Sequence, residues 1–146
     1  MYINGKFVES RSGKWIDVLN PSTEEVCSRQ PEGTVEDVEE ALDAARAAQK
    51  SWEKTPAIER AAYLSKMADG IRKREKEFVE IIMREQGKTR SWAQIEVGAT
   101  IAYFDYMASF ARHIEGEIIQ SDNRGETIFL SKKPIGVVAG ILPWNF

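Results

Sequence analysis

Gly136-Val137-Val138-Ala139-Gly140-Ile141-Leu142-Pro143-Trp144-Asn145-Phe146 is the stretch on which the fold turns. Its first seven residues carry no charge and five of them are aliphatic, the pattern of a short strand buried on both faces, typically inside a parallel sheet. Pro143 has no N–H for the ladder and ends the strand. An indole and a carboxamide, Trp144 and Asn145, are therefore expected at the strand's carboxyl edge, where open α/β sheets bind ligands.

Outward from it the pattern changes. Thr127 to Lys133 alternates with period two and reads as an amphipathic strand. Before it, Thr89 to about Ile114 predicts a long helix closed by Gly116. One of its faces carries Trp92, Ile95, Ala99, Ala102, Tyr103, Tyr106 and Phe110, and a second carries Val97, Ile101, Phe104 and Ala108, so cover on both sides is expected. Gly98 costs that helix roughly 1 kcal/mol against Ala, and a close backbone neighbour is the expected reason.

Farther upstream, Thr34 with Asp37 resembles a capping box opening a helix whose face is Val38, Ala41, Leu42, Ala45, Ala48 and Trp52. Thr55-Pro56 ends it and starts the next, with Thr55 as N-cap. Leu64, Met67, Ala68 and Ile71, then Phe78, Ile81 and Ile82, continue the stripe. Arg72 to Glu77 contains no apolar residue, which predicts a break, and Gly87 is the expected stop. At the amino end, Asn4-Gly5 between Tyr2-Ile3 and Lys6-Phe7-Val8 predicts a type I′ hairpin. A second hairpin is expected from Trp15–Leu19, the Asn20-Pro21-Ser22-Thr23 turn and Glu25–Arg29.

A chain of 146 residues that closed on itself would bury about two thirds of its unfolded surface. Hydrophobic residues at 42%, charged residues at 29% and a net charge of −3 describe an ordinary globular composition and give no basis for nucleic acid or an anionic membrane as partner. No long uncharged apolar run suggests a membrane span or signal peptide. The single cysteine cannot form an internal disulfide, and a cytoplasmic setting is expected. No metal site is expected.

Ile141-Leu142-Pro143-Trp144-Asn145-Phe146 resembles the signature that opens the cofactor-binding core of the NAD(P)-dependent aldehyde dehydrogenase superfamily. Tyr2 to Val8, Asn20 to Glu25, Pro56 to Arg60, Glu85-Gln86-Gly87-Lys88-Thr89 and Lys133 to Val137 look like that family in the same order. Glu115 to Asp122 together with Ile141 to Phe146 is most similar to its lactaldehyde and glycolaldehyde branch. The resemblance covers essentially the whole chain but only the amino-terminal part of such an enzyme. It implies an α/β fragment with two amino-terminal hairpins, three to four long helices, an oligomerisation strand and the first strand of a Rossmann-like parallel sheet. Residues 1–122 would be hairpins and helices of the cofactor-binding domain, 123–135 the oligomerisation arm, and 136–146 the first sheet strand with its motif.

The same resemblance implies an oxidoreductase that converts a small aldehyde to its acid with NAD or NADP, NAD being favoured. Asn145 occupies the position of a catalytic carboxamide. An N–H fixed beside the oxygen of a thiohemiacetal stabilises the charge gathering there, and losing one such donor costs about 2.7–4 kcal/mol. The plainer reading makes Asn145 a turn residue. Ile141, Leu142, Pro143 and Trp144 resemble the segment against which the dinucleotide lies, although core packing alone would use the same residues. Cys27 reads as structural, because it alternates within a hairpin strand and does not match the family's nucleophile. His113 reads as a cation near a helix C-terminus. Glu115, Glu117 and the Arg72-to-Glu77 run read as solvated charge. The general-base Glu, the nucleophilic Cys and the glycine turn for pyrophosphate are not in this sequence, so inactivity alone is expected. The expected partners are an aldehyde and further copies of the chain, with Thr127 to Leu142 buried between copies. The competing reading is a non-enzymatic truncated module for oligomerisation or protein interaction.

Overall fold

A computed structural model describes residues 1–142. Elements appear in the order β1 (Tyr2–Ile3), β2 (Lys6–Phe7), β3 (Trp15–Leu19), β4 (Val26–Pro31), α1 (Val35–Trp52), α2 (Ala57–Lys73), α3 (Glu75–Gln86), α4 (Arg90–Ser109), a 3-10 turn (Phe110–Arg112), β5 (Glu117–Gln120) and β6 (Thr127–Leu130). The strands form three separate antiparallel hairpins, β1-β2, β3-β4 and β5-β6.

Local chemistry accounts for most boundaries. Asn4 and Gly5 take φ of 50° and 76°, as a type I′ turn requires. Ser22 N–H donates to Asn20 Oδ1 at 2.9 Å, which closes the β3-β4 turn. Thr34 accepts from Asp37 N–H, and the Asp37 carboxylate accepts from Thr34 N–H, so the capping box is complete with Asp in place of Glu. The uncharged stripe stops where expected, because Arg74 leaves helical geometry at φ −115° and separates α2 from α3. Gly87 ends α3 at φ 66°, the left-handed C-cap that favours glycine. Thr55 is not the cap of α2. Pro56 stands there with no side-chain bond, and the Thr55 hydroxyl donates back to Ser51 O at 3.4 Å.

The core is built by α2, α3 and α4, in which Ala68, Val79, Ala93, Val97 and Ile101 are buried and Ile71, Phe78, Ile82, Met83 and Phe104 pack around them. α1 lies outside it, against the first hairpin. The β3-β4 hairpin rests on the end of α3, where a Cβ at Gly87 would meet Pro21 Cγ at 2.8 Å and Ser28 Oγ donates to Glu85 at 3.4 Å.

Two expectations change. First, α4 is covered on one side only: Ala93, Val97 and Ile101 are buried, while Trp92, Ile95, Tyr103 and Tyr106 are all more than half exposed. Second, an added Cβ at Gly98 would meet nothing within 4 Å, so no close neighbour explains that glycine. Gly136–Leu142 pairs with no strand among the described residues; a doubly buried parallel strand needs a ladder on each edge. Glu117 is exposed, as expected of a solvated charge, and opens β5 opposite Leu130.

The chain does not close on itself. A compact monomer of 16.5 kDa exposes roughly 7,600 Å², whereas this chain exposes 12021 Å². It buries about half of its unfolded surface rather than two thirds.

Candidate functional site

The expected site straddles the limit of the described residues. Ile141 and Leu142 lie in irregular backbone with 94% and 89% of their surface exposed. Pro143, Trp144 and Asn145 lie outside the described residues. Leu142 borders an open cleft whose other walls are Val18, Leu19, Pro21, Gln30, Glu85 and Gln86, which sets Leu142 beside the β3-β4 hairpin and the end of α3. Sequence spacing alone did not indicate that meeting.

Cys27 is half-buried and its Sγ donates to Val18 O at 3.3 Å across the β3-β4 pair. No charged donor accompanies it in that bond, so its surroundings are those of a packing residue. His113 follows the 3-10 turn, and its ring meets Phe110 edge-on at 5.9 Å. Arg72 bridges Asp69 and Asp105, and Arg74 pairs with Glu77; these exposed pairs match the solvated reading of that run. Among the described residues no group of three or more His, Cys, Asp or Glu is placed to hold a metal ion. Among them too, no helix is long and apolar enough to cross a membrane.

The best organised polar cluster is one the sequence signalled only through the spacing of Thr34 and Asp37. The Asp37 carboxylate is 4% exposed and accepts from Thr34 N–H at 2.9 Å, Ser10 Oγ at 2.9 Å and Arg11 N–H at 3.4 Å. Arg11 Nε stands 3.7 Å away. The Thr34 backbone bond, followed by those from Ser10 and Arg11, outweighs desolvation and holds the Asp37 carboxyl below its usual range. Ser12 Oγ donates to Glu32 O at 2.8 Å in the same knot. All of this fastens the loop after β2 to the start of α1. A buried carboxylate bonded to two segments in this way acts as a structural anchor.

A dinucleotide needs an apolar wall for adenosine and a free helix N-terminus for pyrophosphate. Ile141 and Leu142 are apolar and exposed. At the start of α1 the Thr34 N–H is taken by the Asp37 carboxylate, whereas α4 opens at Thr89 without a side-chain cap bond.

Among the described residues, four helices and three small hairpins make a mixed helix-and-strand architecture with an open apolar face on α4. The chain belongs to the aldehyde dehydrogenase family, whose profile matches residues 7–146. It is 55% identical over its whole length to lactaldehyde dehydrogenase of Escherichia coli (strain K12), of which it spans 30%. It is also 40% identical to 3,6-anhydro-alpha-L-galactose dehydrogenase of Vibrio sp. (strain EJY3), again spanning 30%. A crystal structure of the Escherichia coli lactaldehyde dehydrogenase superposes with a TM-score of 0.85 at 53% identity, covering 88% of this chain and 27% of that one. The architecture expected from the sequence is therefore that of the amino-terminal part of the aldehyde dehydrogenase fold.

Proposed function

We propose that this chain serves as the amino-terminal segment of a nicotinamide-dependent dehydrogenase that oxidises a small aldehyde, of the lactaldehyde or glycolaldehyde type, to its carboxylic acid. The observation that carries this reading is the 55% identity to lactaldehyde dehydrogenase over all 146 residues. NAD is the favoured cofactor and NADP the second choice; when bound it takes up the hydride. In this reading Asn145 donates its amide N–H to the aldehyde oxygen as that oxygen becomes an anion. Ile141, Leu142, Pro143 and Trp144 line the adenosine side. The thiol and the general base come from residues that this sequence does not contain, so the chain alone oxidises no aldehyde. Residues 123–135 act as an arm that pairs copies, and the working compartment is the cytoplasm.

The test is made in a complete protein carrying this segment. Asn145→Ala is expected to lower kcat by about 10²- to 10³-fold with cofactor Kd nearly unchanged. Steady-state rates equal to wild type would overturn the role of Asn145. A second reading, a non-enzymatic module for oligomerisation, draws on β5-β6, where Ile118 and Phe129 are each 73% exposed. The intact mass of the protein in its native cells separates the two: a value near 16.5 kDa favours the module, a much larger one the enzyme.

A further inference from the structure

A groove runs between the corner where α1 meets α2 and the segment that follows β6, and we propose that it binds a phosphate monoester of a small organic molecule through Arg60, Lys132 and Lys133. The proposal draws on none of the residues assigned to aldehyde chemistry and stands or falls apart from it.

Two hollows of about 380 and 480 Å³ share Trp52, Arg60, Ile114 and Lys132 as common lining and so form one groove. Each falls in the size range of small-molecule sites, about 300–1,000 Å³. The charge inside it is lopsided. Arg60, Lys132 and Lys133 line the groove with His113 beside them, and Glu53 is the one carboxylate among the lining residues. Three fixed cations less Glu53 leave two positive charges, in a chain whose net charge is −3. A phosphate monoester carries about −1.5 to −2 at neutral pH and matches that excess, whereas a carboxylate supplies half of it. The cations are also available. Among the described residues six other arginines stand in ion pairs, while Arg60, Lys132 and Lys133 stand in none. Arg60 Nη1 donates to Thr55 O, which takes one of the five guanidinium N–H groups and pins the side chain at the α1–α2 corner. The remaining N–H groups of a planar fork held in this way grip phosphate oxygens in pairs.

The rest of the lining sets the body of the ligand. Trp52 is 46% exposed and meets Tyr63 edge-on at 5.5 Å between ring centroids, so its ring loses little freedom when covered. With Ile114 it gives the groove an apolar wall for C–H groups. Gln49 and Glu53, at the end of α1, line the same hollow as Lys132 and Lys133 and offer acceptors to a hydroxyl on a short carbon skeleton. A polyanion such as nucleic acid is disfavoured by the negative charge of the whole chain, while a small dianion feels mainly the local excess.

The experiment is titration calorimetry of the full chain with glycerol 3-phosphate, in a phosphate-free buffer of low ionic strength where exposed charges are least screened. The expected result is saturable one-to-one binding. Lys132→Gln should weaken it about tenfold, the loss typical of one charge-assisted hydrogen bond, and Arg60→Gln at least as much, with Arg60→Lys recovering part. Lys132 lies in irregular backbone outside every helix and strand, so its variant keeps the test sharp even where Arg60→Gln loosens the α1–α2 corner. Lys6→Gln, on the first hairpin, should bind as wild type does. Absence of saturable heat, equal binding by Lys132→Gln and wild type, or equal weakening by Lys6→Gln would each overturn the site. Inorganic phosphate should bind about tenfold more weakly than the ester; equal affinity would overturn the role given to Trp52, Gln49 and Glu53. Lactate binding more tightly than the ester would overturn the choice of a dianion.

Discussion

α4 carries two apolar faces, and they have opposite fates. The inner one, Ala93, Val97 and Ile101, is no more than 9% exposed because α2 and α3 fill the space against it. The outer one, with Trp92, Ile95, Tyr103 and Tyr106, is open to water. The inner face uses small and branched aliphatic side chains that let helices approach closely, while the outer face uses, besides Ile95, broad rings with polar tips that tolerate water. Apolar periodicity reports that a face is suited to being covered. It does not report when, or by what.

The contrast can be broken most forcefully at Val97. Val97→Asp places an unpaired carboxylate where 3% of the residue is exposed, and the far-ultraviolet circular dichroism of the chain should lose most of its helical signal, since such a charge outweighs the whole stability of a small domain. Retention of a cooperative melt would show that the inner face is not the core. Ile101→Ala should cost about 2–4 kcal/mol in urea unfolding, a milder form of the same test.

A smaller effect is expected at the amino-terminal knot. The Asp37 carboxyl titrates below its ordinary value, so its contribution is present above the unfolded-state pKa of about 3.9 and is lost as pH falls through the lower folded value. Asp37→Asn should therefore flatten the drop in melting temperature on acidification below about pH 4, with Glu36 and Glu77, also held low by hydrogen bonds, supplying what remains. An unchanged acid profile would remove Asp37 from its anchoring role.

Two substitutions sharpen the comparison at the low end. Gly98→Ala meets open space and should stabilise the chain by about 0.5–1 kcal/mol. A loss instead would reveal a neighbour at that turn of α4. Tyr103→Asp, on the outer face, should stay within about 0.5 kcal/mol of wild type in the isolated chain, against the collapse caused by the same residue at position 97.

What the sequence disclosed follows the range of the interactions involved. Asn4-Gly5, the Thr34–Asp37 box, the break near Arg74 and the Gly87 stop are decided within four residues, and each appears where local chemistry put it. β5 was not legible, because Glu117–Gln120 becomes a strand only by pairing with Thr127–Leu130. Gly136–Leu142 has the composition of a buried strand, yet its ladder partners are not among the described residues. The family was legible in the motif at Ile141 to Asn145, whereas the cleft that Leu142 shares with Pro21 and Glu85 joins parts of the chain too far apart for any pattern to reveal.

Gly116 has a consequence of a different kind. A Cβ there would overlap Leu130 O, well inside the contact distance of a carbon and an oxygen, so β5 and β6 meet past a bare hydrogen. Any side chain written into this codon must therefore displace that carbonyl, and a saturation library sorted for an intact hairpin should be enriched in glycine at that site.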